Sequence, residues 1–459
     1  MKTMNRIVMT CGLALAVVFA NAQEVSPVDF MRMNPYQIKT NPAESLPYSS
    51  VFSILIGNAS VGLQNSGLYY DNAFDFDANG VPKMLNLRKL ADGLSDENYL
   101  GINASNNFFT LYRRLSKGML TIGYDIRMQG EASYNGSIFK MLGYGNSLFV
   151  GDDNPATLNV NANLMAFQQL SVGYQLDVTE KLSFGVRGKL LLGLANVTTD
   201  VFNVNLYLDP STYSIRVQED AAMRMCVPRV LVVKDGKLKL NKDIGFDELF
   251  KNPGFGLDLG AEYHITDQIG VVAAVTDLGF ISWSGNDIAV TGKVNDVGPY
   301  YDNGDFLFTG LNGEQIQNII SDPAYREKFV DTLKQYFMPT FSETDKYTTK
   351  LNTNLMLRGY YDINPQNRVT LQLQGQFMGT GFRPAATLAY SGSFFKMLDV
   401  CATYTIMKDS YTNFGIGLGG NFGSFHIYAA TGNIFDVFNP LNAKNFNAQA
   451  GIVFNLRED

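Results

Sequence analysis

Histidine and cysteine are almost missing from this chain. It has two histidines and three cysteines in 459 residues. His264 and His426 fall far apart and in no metal-ligand spacing. There is no Gly-x-Ser-x-Gly elbow, no P-loop and no dinucleotide fingerprint. Enzymatic chemistry and a bound cofactor are therefore not expected. Charge is also sparse, at 17% of residues, with 36 basic and 43 acidic side chains and a net charge of −7. With no basic run, nucleic acid is not an expected partner. Beyond the N-terminus no stretch reaches 18 uninterrupted apolar residues, which excludes spanning helices. Cys11 lies in the N-terminal apolar run, not after a lipobox. Cys226, in an expected loop, and Cys401, in mid-strand, are expected to be separate thiols, although an oxidising compartment would permit a bridge.

The N-terminus reads as an export signal. Lys2 and Arg6 form a basic start, Ile7 to Ala20 a short apolar core, and Ala20-Asn21-Ala22 a small-x-small cleavage site. Residues 1–22 are thus expected to be removed, with Gln23 as the mature N-terminus. The composition behind it, with 43 glycines and 12% aromatics, suits close-packed strands with aromatic girdles, though a soluble all-β protein could share it. Mean hydropathy is near zero, at −0.04.

The strand pattern decides between them. From Phe446 to Leu456, Phe446, Ala448, Ala450, Ile452, Phe454 and Leu456 alternate with residues that are mostly polar or small. That two-residue period is a strand with one lipid face and one inner face. The same pattern predicts strands near 51–64, 105–115, 118–131, 164–177, 181–198, 254–264, 269–283, 347–361, 367–378, 382–391, 396–408, 411–422, 424–432 and 446–456. Fourteen is even, as a bacterial single-chain barrel requires. All long connections, at 65–104, 132–163, 199–253 and 284–346, follow odd-numbered strands, which places them on one rim. Short hairpins such as Arg114 to Gly118 and Thr266-Asp267-Gln268 occupy the other. Tyr174, Tyr263 and Tyr361 precede three of these turns on the apolar face, where a girdle meets the membrane interface. The expected fold is a closed antiparallel transmembrane β-barrel of about fourteen strands over 51–459, placed in the outer membrane of a Gram-negative cell, with outer-membrane lipids as its surroundings.

Two regions are not barrel wall. Residues 23–50 are polar, non-periodic and punctuated by proline, including Asn34-Pro35-Tyr36 and Asn41-Pro42-Ala43. They read either as a disordered leader or as a hatch, and the expectation is a hatch packed on inner faces around Leu191 and Val272. In the longest loop, Asp322 and Pro323 start a helix whose apolar face carries Tyr325, Phe329, Leu333 and Tyr336/Phe337. A second helix is expected from Pro82 to near Gly93. These helices could pack on the rim or offer a lid or docking surface.

Alternation turns a set of charges inward: Arg187 and Lys189 on the fifth strand, Asp258, Glu262 and His264 on the sixth, Asp125 and Arg127 on the third, Arg358 on the eighth and Asp399 on the eleventh. Both histidines point into the lumen, unlike the lipid-facing pair of barrel phospholipases. Salt bridges that hold wall and plug are one reading of these charges. The other is a basic anchor, Arg187, Lys189 or Arg358, for the head group of an amphipathic ligand. Near Lys189 to Leu192 and Ile269 to Val275 both strand faces are apolar, which fits contact with a hatch or a hydrophobic ligand.

With hatch, strand count and helical loops together, the chain resembles the FadL-type barrel superfamily. That group includes long-chain fatty-acid transporters and PorV-type secretion barrels. The residues that carry the resemblance are Asn41-Pro42-Ala43, the segment Lys181 to Ala195, and Gly254 to Trp283 with its Asp277-Leu278-Gly279-Phe280. The closer likeness is to an outer-membrane family of unassigned function within that group. One departure is the C-terminus, where Phe454 is followed by Asn-Leu-Arg-Glu-Asp rather than ending on an aromatic. The resemblance implies binding or transport of small hydrophobic or amphipathic molecules, and the inward-facing Arg187, Lys189, Leu191, Asp258, Glu262, Val272 and Arg358, assigned by alternation, are the candidate ligand contacts in the lumen. The alternative it implies is a docking or shuttle barrel for surface and secreted proteins.

Overall fold

The computed structural model describes residues 25–45, 50–78, 80, 82–227, 231–234, 237–240, 250–284, 287–294, 300–311, 313–395, 397–408, 410–439 and 442–457. The expected signal segment, with Cys11, lies outside these residues, as do 23–24 and 46–49 of the expected hatch.

Fourteen strands form the wall. They are β1 (Ser50–Asn65), β2 (Glu97–Leu115), β3 (Gly118–Asn135), β4 (Ala156–Asp177), β5 (Leu182–Leu208), β6 (Pro253–His264) and β7 (Ile269–Trp283). They continue as β8 (Thr353–Asn364), β9 (Asn367–Met378), β10 (Gly381–Phe394), β11 (Leu398–Met407), β12 (Ser410–Phe422), β13 (Phe425–Thr431) and β14 (Asn445–Arg457). Each pairs antiparallel with its neighbours in sequence, and β14 pairs with β1, in register Ile54 with Phe454, so no edge remains. The closing ladder shifts register at two places, between Ser50 and Phe52 and between Ile56 and Ala59, and at the second Gly57 adopts a φ of 62° that only glycine accepts freely. This turns Asn58 inward, where its side-chain oxygen accepts from the Tyr428 hydroxyl (2.6 Å) and the Gln449 amide (2.9 Å).

Alternation sorts the faces as expected. On β5, Phe184, Val186 and Leu190 face out, whereas Arg187, Lys189 and Leu191 are buried inside. Tyr174, Tyr263 and Tyr361 face outward next to the short turns.

Several boundaries differ from the sequence expectation. Strands β2 to β5 extend beyond the band at the long-loop end, beginning at 97 rather than 105, ending at 135 rather than 131, beginning at 156 rather than 164, and ending at 208 rather than 198. There β2 to β5 continue to pair with one another, and from β5 the loop strands Ile215–Cys226, Asp287–Gly292 and Asp305–Phe308 carry the sheet on around Val217, Val294, Phe306 and Tyr336. The strand expected over 347–361 is interrupted, as Tyr347–Lys350 and then β8. The helix Pro323–Tyr336 starts as expected, with Asp322 accepting from the Ala324 amide at 2.8 Å. The second helix does not begin at Pro82. Pro82–Leu85 pairs as a strand with Phe74–Phe76, and the helix is Leu87–Gly93, capped by Asn86.

Residues 25–45 lie inside the barrel. Val25, Val28, Phe30, Met31 and Ile38 pack with Leu55, Tyr112, Met119, Ala389, Cys401, Tyr428 and Val453. That is the wall around the β1/β14 seam, which corrects the expected packing on Leu191 and Val272. Leu191 instead joins Phe167, Ile281 and Trp283, and Val272 joins Ala274, Met356 and Tyr360. Alternation tells which residues face inward but not what stands opposite them. On the other side the hatch meets glycine: a Cβ on Gly185 would stand 2.1 Å from the Pro42 carbonyl, and one on Gly260 would stand 2.1 Å from the Asn41 side-chain oxygen. The Asn41-Pro42-Ala43 turn thus seats directly on bare wall backbone, with Asn41 accepting from the Ala43 amide at 3.0 Å.

The fit yields a test. Gly185→Val is expected to push the 41–43 turn off the wall while the barrel still forms, because β5 remains paired on both sides. Unheated gel mobility should stay that of a folded barrel, and a cysteine placed at Thr40 should become reactive to a water-soluble maleimide. An unreactive Thr40→Cys in the Gly185→Val background would refute the contact.

Candidate functional site

The lumen holds one knot of charge. At β7 the ladder with β6 slips by one residue, and Asp277 adopts a φ of 61°. A left-handed non-glycine residue inside a strand costs about 1–3 kcal/mol and persists only when its surroundings impose it. Here they do. The Asp277 amide donates to the Asp258 carboxylate at 2.8 Å. The Asp277 carboxylate accepts both terminal nitrogens of Arg127, each at 2.8 Å, and Lys189 Nζ at 2.6 Å. Lys189 also reaches Asp258 at 2.6 Å, and Arg187 Nε donates to Asp258 at 2.7 Å. Asp258, Asp277, Arg187 and Lys189 are each at most 5% exposed. The bulge also accounts for the broken strand before β8: the Leu351 amide bonds to the Gly279 carbonyl (3.0 Å), and the Thr353 hydroxyl bonds to the Asp277 carbonyl (3.1 Å).

The hatch is latched to this wall by further charges. Arg187 donates to the backbone carbonyls of Ile38 (3.0 Å) and Lys39, and Lys39 Nζ pairs with Asp125. Arg358 pairs with Glu44 at 3.4 Å and donates to Gln372 at 2.9 Å. Arg32 pairs with Asp362, and Asp399 accepts the amides of Arg32 (3.2 Å) and Met33 (2.8 Å).

The residues named from sequence therefore separate. Arg187, Lys189 and Asp258 come together, and Arg358 meets the hatch. Glu262 accepts from the Tyr360 hydroxyl at 2.9 Å, beside His264. Leu191 and Val272 sit in separate apolar clusters. His426 is fully buried against Asn421.

The opposite end is also crossed. Glu131 on β3 accepts the Gly379 amide (2.6 Å) and the Thr380 hydroxyl (2.7 Å) of the β9–β10 turn, which is half the ring away. Arg383 lies 3.9 Å over the Tyr99 ring, and the Tyr99 hydroxyl donates to the Lys408 carbonyl at 2.8 Å. Between hatch and crossing lies a cavity lined by Ser26, Tyr36, Lys39 and Thr40 of the hatch and by polar wall residues including Gln129, Gln169, Gln374 and Gln376. On the outer face of the wall, an apolar depression lined by Phe184, Val186, Leu259, Leu357 and Leu373 shares Ala274, Met356 and Gln374 with that cavity.

Sequence reasoning missed Asp277, Lys39, Glu131 and the glutamines as site residues. Asp277 had a signal: Thr276-Asp277 places two polar residues in succession and breaks the period-two pattern of β7, as a bulge does. The partners of Lys39 and Glu131 are set by what faces them across the lumen.

Asp277→Asn removes the carboxylate that Arg127 and Lys189 share. Breaking a buried pair from one side costs about 3–5 kcal/mol. The exposed Lys334–Asp331 pair is a control, whose loss through Asp331→Asn should cost under about 1 kcal/mol. Denaturant unfolding of both variants checks this, and equal midpoints would contradict the structural weight given to Asp277.

No curated protein matches the chain. Among solved structures it is similar to the toluene transporter TodX of Pseudomonas putida, at 9% identity and a TM-score of 0.45, over 95% of this chain and 98% of that one. It is similar to the toluene transporter TbuX of Ralstonia pickettii at 10% identity and a TM-score of 0.44, over 96% and 100%. A FadL homologue of Pseudomonas aeruginosa matches at 10% identity and a TM-score of 0.41, over 95% and 98%. A family model, described as a family of unknown function (DUF5723), matches residues 42–432. That match spans most of the chain, which therefore belongs to the DUF5723 family.

Proposed function

We propose that this barrel is a gated carrier in the outer membrane of a Gram-negative cell, exported by a cleaved signal and binding small amphipathic molecules in its lumen. The observation that carries the reading is the pairing of a polar cavity inside the wall with an apolar depression outside it, over the shared residues Ala274, Met356 and Gln374. A molecule with a polar and an apolar part finds both environments at one stretch of wall. A purely hydrophobic cargo fits the polar lining poorly. The hatch below and the Glu131 crossing above make passage conditional on movement. Arg187 and Arg358 serve chiefly to hold the hatch, since each is already paired with a carboxylate.

The docking alternative keeps one observation in its favour. The loop helices Gly313–Ser321 and Pro323–Tyr336 expose Ile316, Ile320 and Val330 to solvent.

Proteoliposomes separate the two readings. The wild-type protein should pass a radiolabelled amphipath, octyl glucoside or octanoate, in a saturable manner and show no steady ion conductance. A variant lacking residues 25–45 should conduct steadily and lose saturation. If the wild-type protein neither binds nor passes either probe, the carrier reading fails and the exposed helix face becomes the better lead.

A further inference from the structure

One wall strand is too short for its place. A strand that crosses a bilayer needs about 9–11 residues. β13 has 7, whereas its neighbours β12 and β14 have 13 each. The shortfall lies at the long-loop end. There the ladders of β13 stop at Thr431 opposite Ile416 and at Ala430 opposite Gln449. Ser410 to Gly415 of β12 and Asn445 to Ala448 of β14 run on with no β13 residue between them. The chain that follows fills this breach in two layers. On the lumen side, Asn413 accepts from Asn433 (3.5 Å) and Asn445 (3.0 Å), and Asn447 accepts the Gly432 amide at 2.5 Å. The Thr431 hydroxyl donates to the Asn447 carbonyl at 2.7 Å, and the Asp436 carboxylate accepts the Asn445 amide at 3.1 Å. These bonds take up backbone groups that the missing ladder leaves open, as membrane depth requires. On the other side lies the helix Ile434–Phe438, capped by Asn433, which accepts the Phe435 amide at 3.2 Å. Phe435 packs edge-on against Phe414 with ring centres 5.9 Å apart, and Phe414 lies 4.8 Å from the Tyr404 ring. Phe414 faces outward between the buried Asn413 and Gly415, so this helix sits on the outer surface of the barrel. Phe435, Val437 and Phe438 are 59%, 42% and 83% exposed, and the one charged residue of the helix, Asp436, turns to β14.

We propose that the helix Ile434–Phe438 lies in the acyl-chain region of the leaflet nearest the long-loop rim, where it seals the wall above β13 and binds lipid chains through Phe435, Val437 and Phe438. Seven residues tilted across the wall climb only roughly 16 Å of an apolar band about 25 Å tall. The segment after β13 therefore starts at membrane depth. A helix there keeps its own backbone bonds and turns apolar side chains to lipid. The outward aromatic row from Tyr404 through Phe414 to Phe435 carries the lipid-facing surface of β11 and β12 onto the helix without a break. A helix that docks a water-soluble protein would stand clear of the band, and this one begins inside it. The contact needs only a bilayer around the barrel and is independent of what the lumen carries.

Spin labels on the full-length mature protein in phosphatidylcholine vesicles test this. Single variants Phe438→Cys, Leu418→Cys on the outward face of β12, and Ile316→Cys on the long-loop helix each carry one nitroxide. Cys226 and Cys401 are buried and stay unlabelled. Collisions with oxygen, which concentrates in lipid, are compared with collisions with a water-soluble nickel chelate. The oxygen-to-nickel ratio at Phe438→Cys should approach that at Leu418→Cys and exceed that at Ile316→Cys at least about threefold. Should Phe438→Cys lose the unheated gel mobility of a folded barrel, Val437→Cys on the same helix should give the same result. A ratio at the helix no higher than that at Ile316→Cys places the helix in water. That outcome overturns the lipid contact and leaves the face to a protein partner.

Discussion

Asp277 is the residue on which the lumen turns. Its left-handed backbone shifts the phase of β7, so that two successive side chains, Thr276 and Asp277, line the interior. That shift gives Arg127, from four strands away, a bidentate carboxylate, and gives Lys189 a second one beside Asp258. The strained residue and the ion pairs support each other. Without the carboxylates of Asp258 and Asp277, Arg187 and Lys189 would be buried without their paired counter-charges, and Arg127 would lose its bidentate partner. Without the cations, nothing would hold the strand in a conformation it otherwise avoids.

The hatch is seated by two different forces. Toward the β1/β14 seam it buries Val28, Phe30, Met31 and Ile38 as an ordinary apolar core. Toward β3, β5 and β6 it offers polar groups: the Ile38 and Lys39 carbonyls to Arg187, and the Lys39 ammonium to Asp125. The bare backbone at Gly185 and Gly260 lets the Asn41-Pro42-Ala43 turn come close enough for this. The plug is thus held on one side by apolar burial and on the other by buried charge.

The two ends of the cavity are built unlike one another. Below is a chain segment with its own small core. Above, single side chains reach from one wall to the other, Glu131 to the β9–β10 turn and Tyr99 to the β11–β12 turn. The cavity between them is polar although the belt outside is apolar, and only one layer of strand separates the two.

By itself the sequence determined the wall. Period-two alternation, the parity of the strand count and the sorting of loop lengths are local or counting properties, so they survive without coordinates. The inward direction of Arg187, Lys189, Asp258, Glu262 and Arg358 follows from the same alternation. Only the tertiary structure decided what those residues meet. Barrel closure brings β3 opposite the β9–β10 turn and sets Lys39 against Asp125, across sequence separations that no local pattern encodes. It also placed the hatch against the β1/β14 seam rather than on Leu191 and Val272, because the curvature of a closed sheet, not the periodicity of a strand, fixes which inner faces stand across from one another.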